Sequence, residues 1–215
     1  MKKKVLTILG TRPEIIRLSL IIPLLDKYTN HTIVHTGQNY DYNLDKIFFK
    51  NFELRKPNYF LNAKGNFANQ ISIIIKKLHG IILKEKPDRF LVLGDTNSSL
   101  GAIVAKRLGI PVFHMEARNR QYDDIVPEEI NRRLIDTSSD ILLPYTSRSS
   151  LNLTKEGIDR SKIFVTGNPI YEVINNFYAN IKKSNIHKNL KIFEQKYFLL
   201  TLHRQENVDN IERLK

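Results

Sequence analysis

The chain has 215 residues, 41% hydrophobic and 26% charged, which fits a globular protein and excludes a disordered one. It contains no cysteine, so disulfides and thiolate metal sites are excluded, and a reducing compartment is compatible. Its formal charge of +12 comes from 34 Lys and Arg against 22 Asp and Glu. The lysines are scattered, with no basic stripe interleaved with aromatics, so no nucleic-acid partner is expected. The charge does suit a phosphate-bearing ligand.

Residues 5–9 read as a first strand. The stretch "MKKKVLTILG" begins like a signal peptide, but its apolar run is short and "TRPE" follows at once. No apolar run reaches the ~20 residues that span a bilayer. A cytoplasmic protein with no membrane partner is therefore expected. Pro13 opens a helix whose stripe is Ile15, Ile16, Leu18, Ile21, Ile22 and Leu25. A strand at 32–35 follows. Ile71, Ile74, Ile75, Leu78 and Ile82 mark a second helix, then comes a strand at 90–93. Leu100, Ile103, Val104 and Leu108 mark a third helix, closed by Gly109 and Pro111. Strands at 112–114, 141–143 and 163–165 complete the pattern, with a helix entered at Pro127 between the first two. Such alternation predicts an α/β fold, a parallel sheet with helices on both faces. Ligands then bind beyond the carboxyl ends of the strands. Residues 176–196 are rich in Lys and Asn and read as helix and linker. Residues 197–215 restart the pattern with a strand at 198–202. The domain expectation is thus 1–175, a linker at 176–196, and the first strand of another domain from 197.

Several of these strand ends carry polar clusters. "GTRPE" offers Arg12 at a helix start, either an anion cradle or a turn capped by Thr11. "HTGQNYD" follows the second strand and can be a simple turn. "GDTNSS" places Asp95 at a strand end, as an N-cap or as a working carboxylate. "HMEARNRQYDDIVPEEINRR" places Glu116 just past its strand. In it, Glu128 and Arg132 lie four apart on one helix face, either a surface ion pair or part of a crevice. Carboxylates gathered in one crevice repel, so at least one should have a raised pKa, a setting for acid and base chemistry. His114 is expected to point into the core, and His203 lies just past the last strand. There is no HxH or HExxH spacing and no nucleophile elbow, so neither a metal nor a serine hydrolase is expected.

The ordered motifs "GTRPEIIR", "HTGQNYD", "LGDTNSS", "HMEA", "VPEEINR", "VTGNP" and "HRQEN" resemble the non-hydrolysing UDP-N-acetylglucosamine 2-epimerases over the whole chain. The nearest flavour is that of the UDP-N-acetyl-L-fucosamine synthase branch, which acts on a 6-deoxy sugar nucleotide for surface polysaccharide. The resemblance implies two Rossmann-like domains in the glycosyltransferase-B arrangement, a homodimer in the full-length family, and no cofactor. It implies C2 epimerisation of a UDP-sugar by elimination and re-addition of UDP. By motif, Asp95, Glu116, Glu128 and His203 match catalytic positions, and Arg12, Arg17 and Arg132 match substrate-binding ones. Arg17 stands where many members carry lysine, and Arg118 where glycine is usual. The "QNYDYNL" stretch departs from the pattern tied to allosteric regulation in some members, so that regulation is not carried over by the resemblance. The family continues into a full second domain. The chain is therefore expected to be a truncated form, impaired in activity or an inactive remnant. A glycosyltransferase of the same arrangement is the alternative from another class. It would not need three carboxylates around one carbon.

Overall fold

The computed structural model describes residues 2–38, 46–120, 122, 126–193, 195–201 and 211–214. Two compact units divide the chain, Met1–Asn175 and Asn176–Lys215.

The first unit is built on β1 (Lys4–Leu9), β2 (Asn30–His35), β3 (Tyr59–Phe60), β4 (Arg89–Leu93), β5 (Val112–Met115) and β6 (Ile141–Leu143). These form one parallel sheet in the order β3-β2-β1-β4-β5-β6. This is the order of a doubly wound Rossmann-like sheet, and it reverses direction between β1 and β4. Side chains along a strand alternate between faces, and here both faces are covered. Leu6, Ile8, Phe90, Val92 and Val112 pack on one side with α4 (Phe67–Glu85), α5 (Gly101–Arg107) and Ile135 of α6 (Pro127–Ser138). Leu9, Ile33, Leu91, Leu93 and Met115 pack on the other with α1 (Arg12–Leu18), α2 (Ile21–Tyr28) and α3 (Lys46–Asn51). Burial on both faces explains why the strands read as largely apolar runs. The helix α7 (Ser147–Lys155) follows β6 and packs Leu153 against Leu142, and α8 (Ile170–Asn176) closes the unit.

Three expectations need correction. The stripe from Ile15 to Leu25 is two helices, because Pro23 has no N–H to donate to the Ser19 carbonyl four residues back. The break lies at Ser19 and Leu20, where the Ser19 hydroxyl donates to the Ile16 carbonyl at 2.8 Å. The strand β3 was not foreseen, being two residues long and at the sheet edge. The expected strand at 163–165 forms only one bridge, Leu142↔Ile163. Its Phe164 N–H still donates to the Leu142 carbonyl at 2.9 Å, but Phe164 and Val165 are half exposed, so little burial holds it flat.

The second unit contains the short helices α9 (Tyr178–Lys182) and α10 (Ile186–Leu190). The expected strand at 198–202 is absent over 198–201, and Leu202 lies outside the described residues. Phe198, Leu199 and Leu200 are exposed. An extended segment becomes a strand only when a neighbour takes up its backbone N–H and C=O groups, and among the described residues none does.

Candidate functional site

Because every strand is parallel, their carboxyl ends meet along one edge. The ladder of backbone hydrogen bonds runs on past that edge. Gly94 N–H donates to Met115 O at 3.0 Å, Glu116 N–H to Leu143 O at 3.1 Å, and Thr166 N–H to Pro144 O at 3.1 Å. Asp95, Glu116 and Tyr145 are therefore set by the sheet itself, one on each successive strand end.

At the point where strand order reverses, Gly10 has no room for a side chain. A Cβ there would lie 1.9 Å from Thr36 Oγ1 and 2.3 Å from Ser98 Oγ. These two hydroxyls bond each other at 2.7 Å, closing three loops together. Glu14 braces the same place from the first turn of α1. Its Oε2 accepts from Gly10 N–H at 2.8 Å, Thr11 N–H at 2.7 Å and Thr11 Oγ1 at 2.9 Å, and its Oε1 accepts from Thr96 Oγ1 at 2.8 Å. Thr11 and Glu14 form a capping box, a signal present in "TRPE" but not read from it. Burial pushes the Glu14 carboxyl above its ordinary range, against the hydrogen bonds that pull it down. A raised folded-state pKa means that this group's contribution to stability is complete below the unfolded pKa of ~4.3 and is lost as pH rises through the folded value. Glu14→Gln keeps an acceptor for the backbone donors and removes the charge. Its stability relative to the native chain is expected to rise from acid pH to neutrality, measured by urea denaturation. A falling difference would mean that the hydrogen bonds outweigh burial.

Asp95 forms an ion pair with Arg132 of α6. Burial raises its pKa first, Arg132 opposes this, and the charges of Glu116 and Glu128 raise it further. Glu116 lies just after β5 with φ 64°, a left-handed conformation costly for a residue with a side chain. Its Oε2 accepts from Arg17 Nη1 at 2.7 Å, and its side chain is only 7% exposed. Asn119 Nδ2 donates to Oε1 at 3.4 Å. Glu128 sits in the first turn of α6, after Pro127, and is exposed. Four residues of spacing had allowed a Glu128–Arg132 pair, but Arg132 reaches across to Asp95 instead. The pair four apart that does form is Glu129–Arg133, at 3.2 Å. Arg12 is exposed at the first position of α1. His203 lies outside the described residues, as do residues 39–41 of the "HTGQNYD" stretch.

The histidine His114 is fully buried. Its Nδ1 bonds Asp136 Oδ1 at 2.9 Å and its Nε2 bonds the Gly94 carbonyl at 3.0 Å. It thus pins the turn before Asp95 to α6, the structural role expected of it. Arg120 adds a 2.9 Å ion pair to Asp136. Arg118 takes φ 61°, the conformation that glycine adopts most readily. Its buried guanidinium pairs with Glu156 at the end of α7. Glu116, Arg118, Tyr145, Arg148 and Ser149 are among the residues lining a cavity of about 490 Å³.

The UDP-N-acetylglucosamine 2-epimerase family model matches residues 25–215. The chain belongs to that family. It is 47% identical to the UDP-N-acetylglucosamine 2-epimerase of Methanocaldococcus jannaschii, over 99% of this chain and 60% of that protein. It is 40% identical to the UDP-2,3-diacetamido-2,3-dideoxy-D-glucuronate 2-epimerase of Pseudomonas aeruginosa, over 98% of this chain and 60% of that protein. The chain thus spans about 60% of the length of these two curated relatives. The crystal structure of the M. jannaschii UDP-GlcNAc 2-epimerase in complex with UDP-GlcNAc and UDP superposes with a TM-score of 0.92 at 45% identity, covering 98% of this chain and 59% of that one. The Rickettsia bellii UDP-N-acetylglucosamine 2-epimerase gives a TM-score of 0.85 at 46% identity, over 90% and 52%. A lipopolysaccharide galactosyltransferase, 19% identical with a TM-score of 0.54, shares the fold alone. The expected fold class holds: a Rossmann-like parallel sheet flanked by helices, as in the N-terminal half of a glycosyltransferase-B-type protein. Among the described residues, no helix is long and apolar enough to cross a membrane.

Proposed function

We propose that this member of the family epimerises C2 of a UDP-N-acetylamino sugar, with UDP-N-acetylglucosamine as the substrate, for surface polysaccharide. The observation that carries this reading is the gathering of Asp95 and Glu116 at adjacent strand ends, each held by an arginine from a different helix. In the reaction a base takes the C2 proton, its electron pair forms the C1–C2 double bond, and the C1–O bond breaks to release UDP. The 2-acetamidoglycal stays bound. UDP re-adds at C1 and a proton returns to C2 from the other face. Two faces of one carbon need at least one base and one acid.

Glu116, clamped by Arg17, suits the base. Asp95, with its raised pKa, suits a group that carries a proton. Glu128, whose charge acts on Asp95, completes the set. Arg12, Arg132 and His203 are proposed as donors to the diphosphate and substrate, a role that suits guanidinium and imidazole groups. The branch that acts on a 6-deoxy sugar nucleotide is supported by the motif resemblance. The expected homodimer and the cytoplasmic location rest on the resemblance and on composition.

Incubating the protein with UDP-N-acetylglucosamine in deuterated water tests the reading. Deuterium should appear at C2 in both epimers by NMR. No uptake, with the nucleotide bound, would overturn it.

A further inference from the structure

Tyr145 has no part in the reaction as described above, yet it stands at the end of β6, beside Glu116. The backbone fixes it there from two sides. Leu143 accepts from Glu116 N–H at 3.1 Å, and Pro144 accepts from Thr166 N–H at 3.1 Å. Its hydroxyl is buried and has no hydrogen-bond partner. A buried hydroxyl left unpaired is costly, so one at a crevice has a use or a partner close by. The charged groups acting on it are Glu116 after β5, Arg17 of α1 and Arg132 of α6. Asp95 and Glu128 act on the same cluster.

The phenol is near enough to the Glu116 carboxylate to feel its charge, while its hydroxyl makes no formed hydrogen bond. Glu116 Oε2 is already taken by Arg17 at 2.7 Å, while Oε1 has only the long 3.4 Å contact from Asn119. A phenol is a donor as long as it keeps its proton. Burial first, and then the charge of Glu116, push the Tyr145 hydroxyl above its ordinary range, so it stays protonated wherever the carboxylates are ionised.

We propose that Tyr145 is a positioning residue for Glu116: its hydroxyl is placed to donate to the second carboxylate oxygen in the free protein as well as with substrate, and with Arg17 it fixes the carboxylate as a two-sided clamp. The proposal rests on Glu116 being the base of the epimerisation above. Arg17 alone leaves the carboxylate free to turn about one contact, and a second donor removes that freedom. Arg118 lines the same cavity and pairs with Glu156.

Two measurements test this, one of which needs no activity. In ligand-free protein labelled at tyrosine ¹³Cζ, the Tyr145 resonance, assigned by its loss in Tyr145→Phe, should move as pH falls through the carboxylate range. Glu116→Gln should abolish that movement, and Glu156→Gln should leave it. Persistence of the movement in Glu116→Gln, or its absence in the native protein, overturns the clamp whatever the activity. In the enzyme, Tyr145→Phe should lower kcat about 10-fold with KM within about 2-fold, and should move the acidic limb of the kcat profile upward by about one pH unit, the scale of one hydrogen bond to a carboxylate. Unchanged kcat and an unmoved limb also overturn it. A clamp seen by NMR in a protein that exchanges no C2 proton would refute the epimerase reading and leave the clamp standing.

Discussion

Glu116→Gln is expected to lower C2 epimerisation by ~10²-fold or more, the scale for losing a general base. That is ~2.7 kcal/mol of barrier. Glutamine has the same shape and can still accept from Arg17 through its amide oxygen. What it loses is the ability to take a proton. Binding of the UDP-sugar should change little, because the diphosphate donors remain. A fall in kcat at nearly constant KM is therefore the expected pattern. Solvent deuterium uptake at C2 should fall in parallel, since elimination itself is blocked. Circular dichroism and thermal melting of the variant should match the native protein, which separates lost chemistry from lost fold. Turnover within a few-fold of native would remove Glu116 from the base role and leave Glu128 or Asp95 to fill it.

Much of this arrangement was legible in the sequence, for definite reasons. The strands that pair on both sides are buried on both faces, so residues such as Leu6, Leu9, Phe90 and Leu93 form nearly continuous apolar runs, with the buried Thr7 as the break in β1. The end of each run then marks the edge where ligands bind, which is what singles out Asp95 and Glu116. The break at Ser19 was hidden because both helices bury the same stripe, and only Pro23 signalled it. Glu14 was overlooked although the spacing from Thr11 names it. Tyr145 was missed because β6 is short and its end carries a lone phenol in place of a charged cluster. Its neighbour Pro144 and the apolar run before it were the available signal. The Asp95–Arg132 pair could not be foreseen, since it depends on how α6 lies across β4, and spacing within one helix says nothing about that. Nor does the sequence show that Arg118 sits in a left-handed turn, although the resemblance to a glycine at that place hinted at it.

The largest stability effect is expected at Phe90, in the middle of the sheet. Its partners in the ladder are Leu6 on one side and Val112 on the other, and the residue is fully buried. Phe90→Ala removes a ring and leaves a cavity, which costs ~3–5 kcal/mol. A domain of this size has only ~5–15 kcal/mol to lose, so the urea midpoint should drop steeply with little change in slope. The ring points toward the start of α5. A Cβ built on Gly101 would lie 3.7 Å from Phe90 Cζ, 2.7 Å from Leu78 Cδ2 and 3.0 Å from Ile8 Cδ1. Gly101→Ala alone should therefore destabilise by overpacking, by ~1–3 kcal/mol. With the Phe90 ring gone, Leu78 and Ile8 have space to yield. The double variant should then be more stable than the sum of the two losses predicts, a coupling expected between neighbours that share one cavity. Strict additivity would mean that the Gly101 methyl is blocked by Leu78 and Ile8 whatever happens at Phe90. Function should follow the same path. Asp95 is two residues beyond the end of β4, so a slackened strand moves the carboxylate away from Arg132. Epimerisation should fall in Phe90→Ala under conditions where the protein is still folded, and recover in part in the double variant.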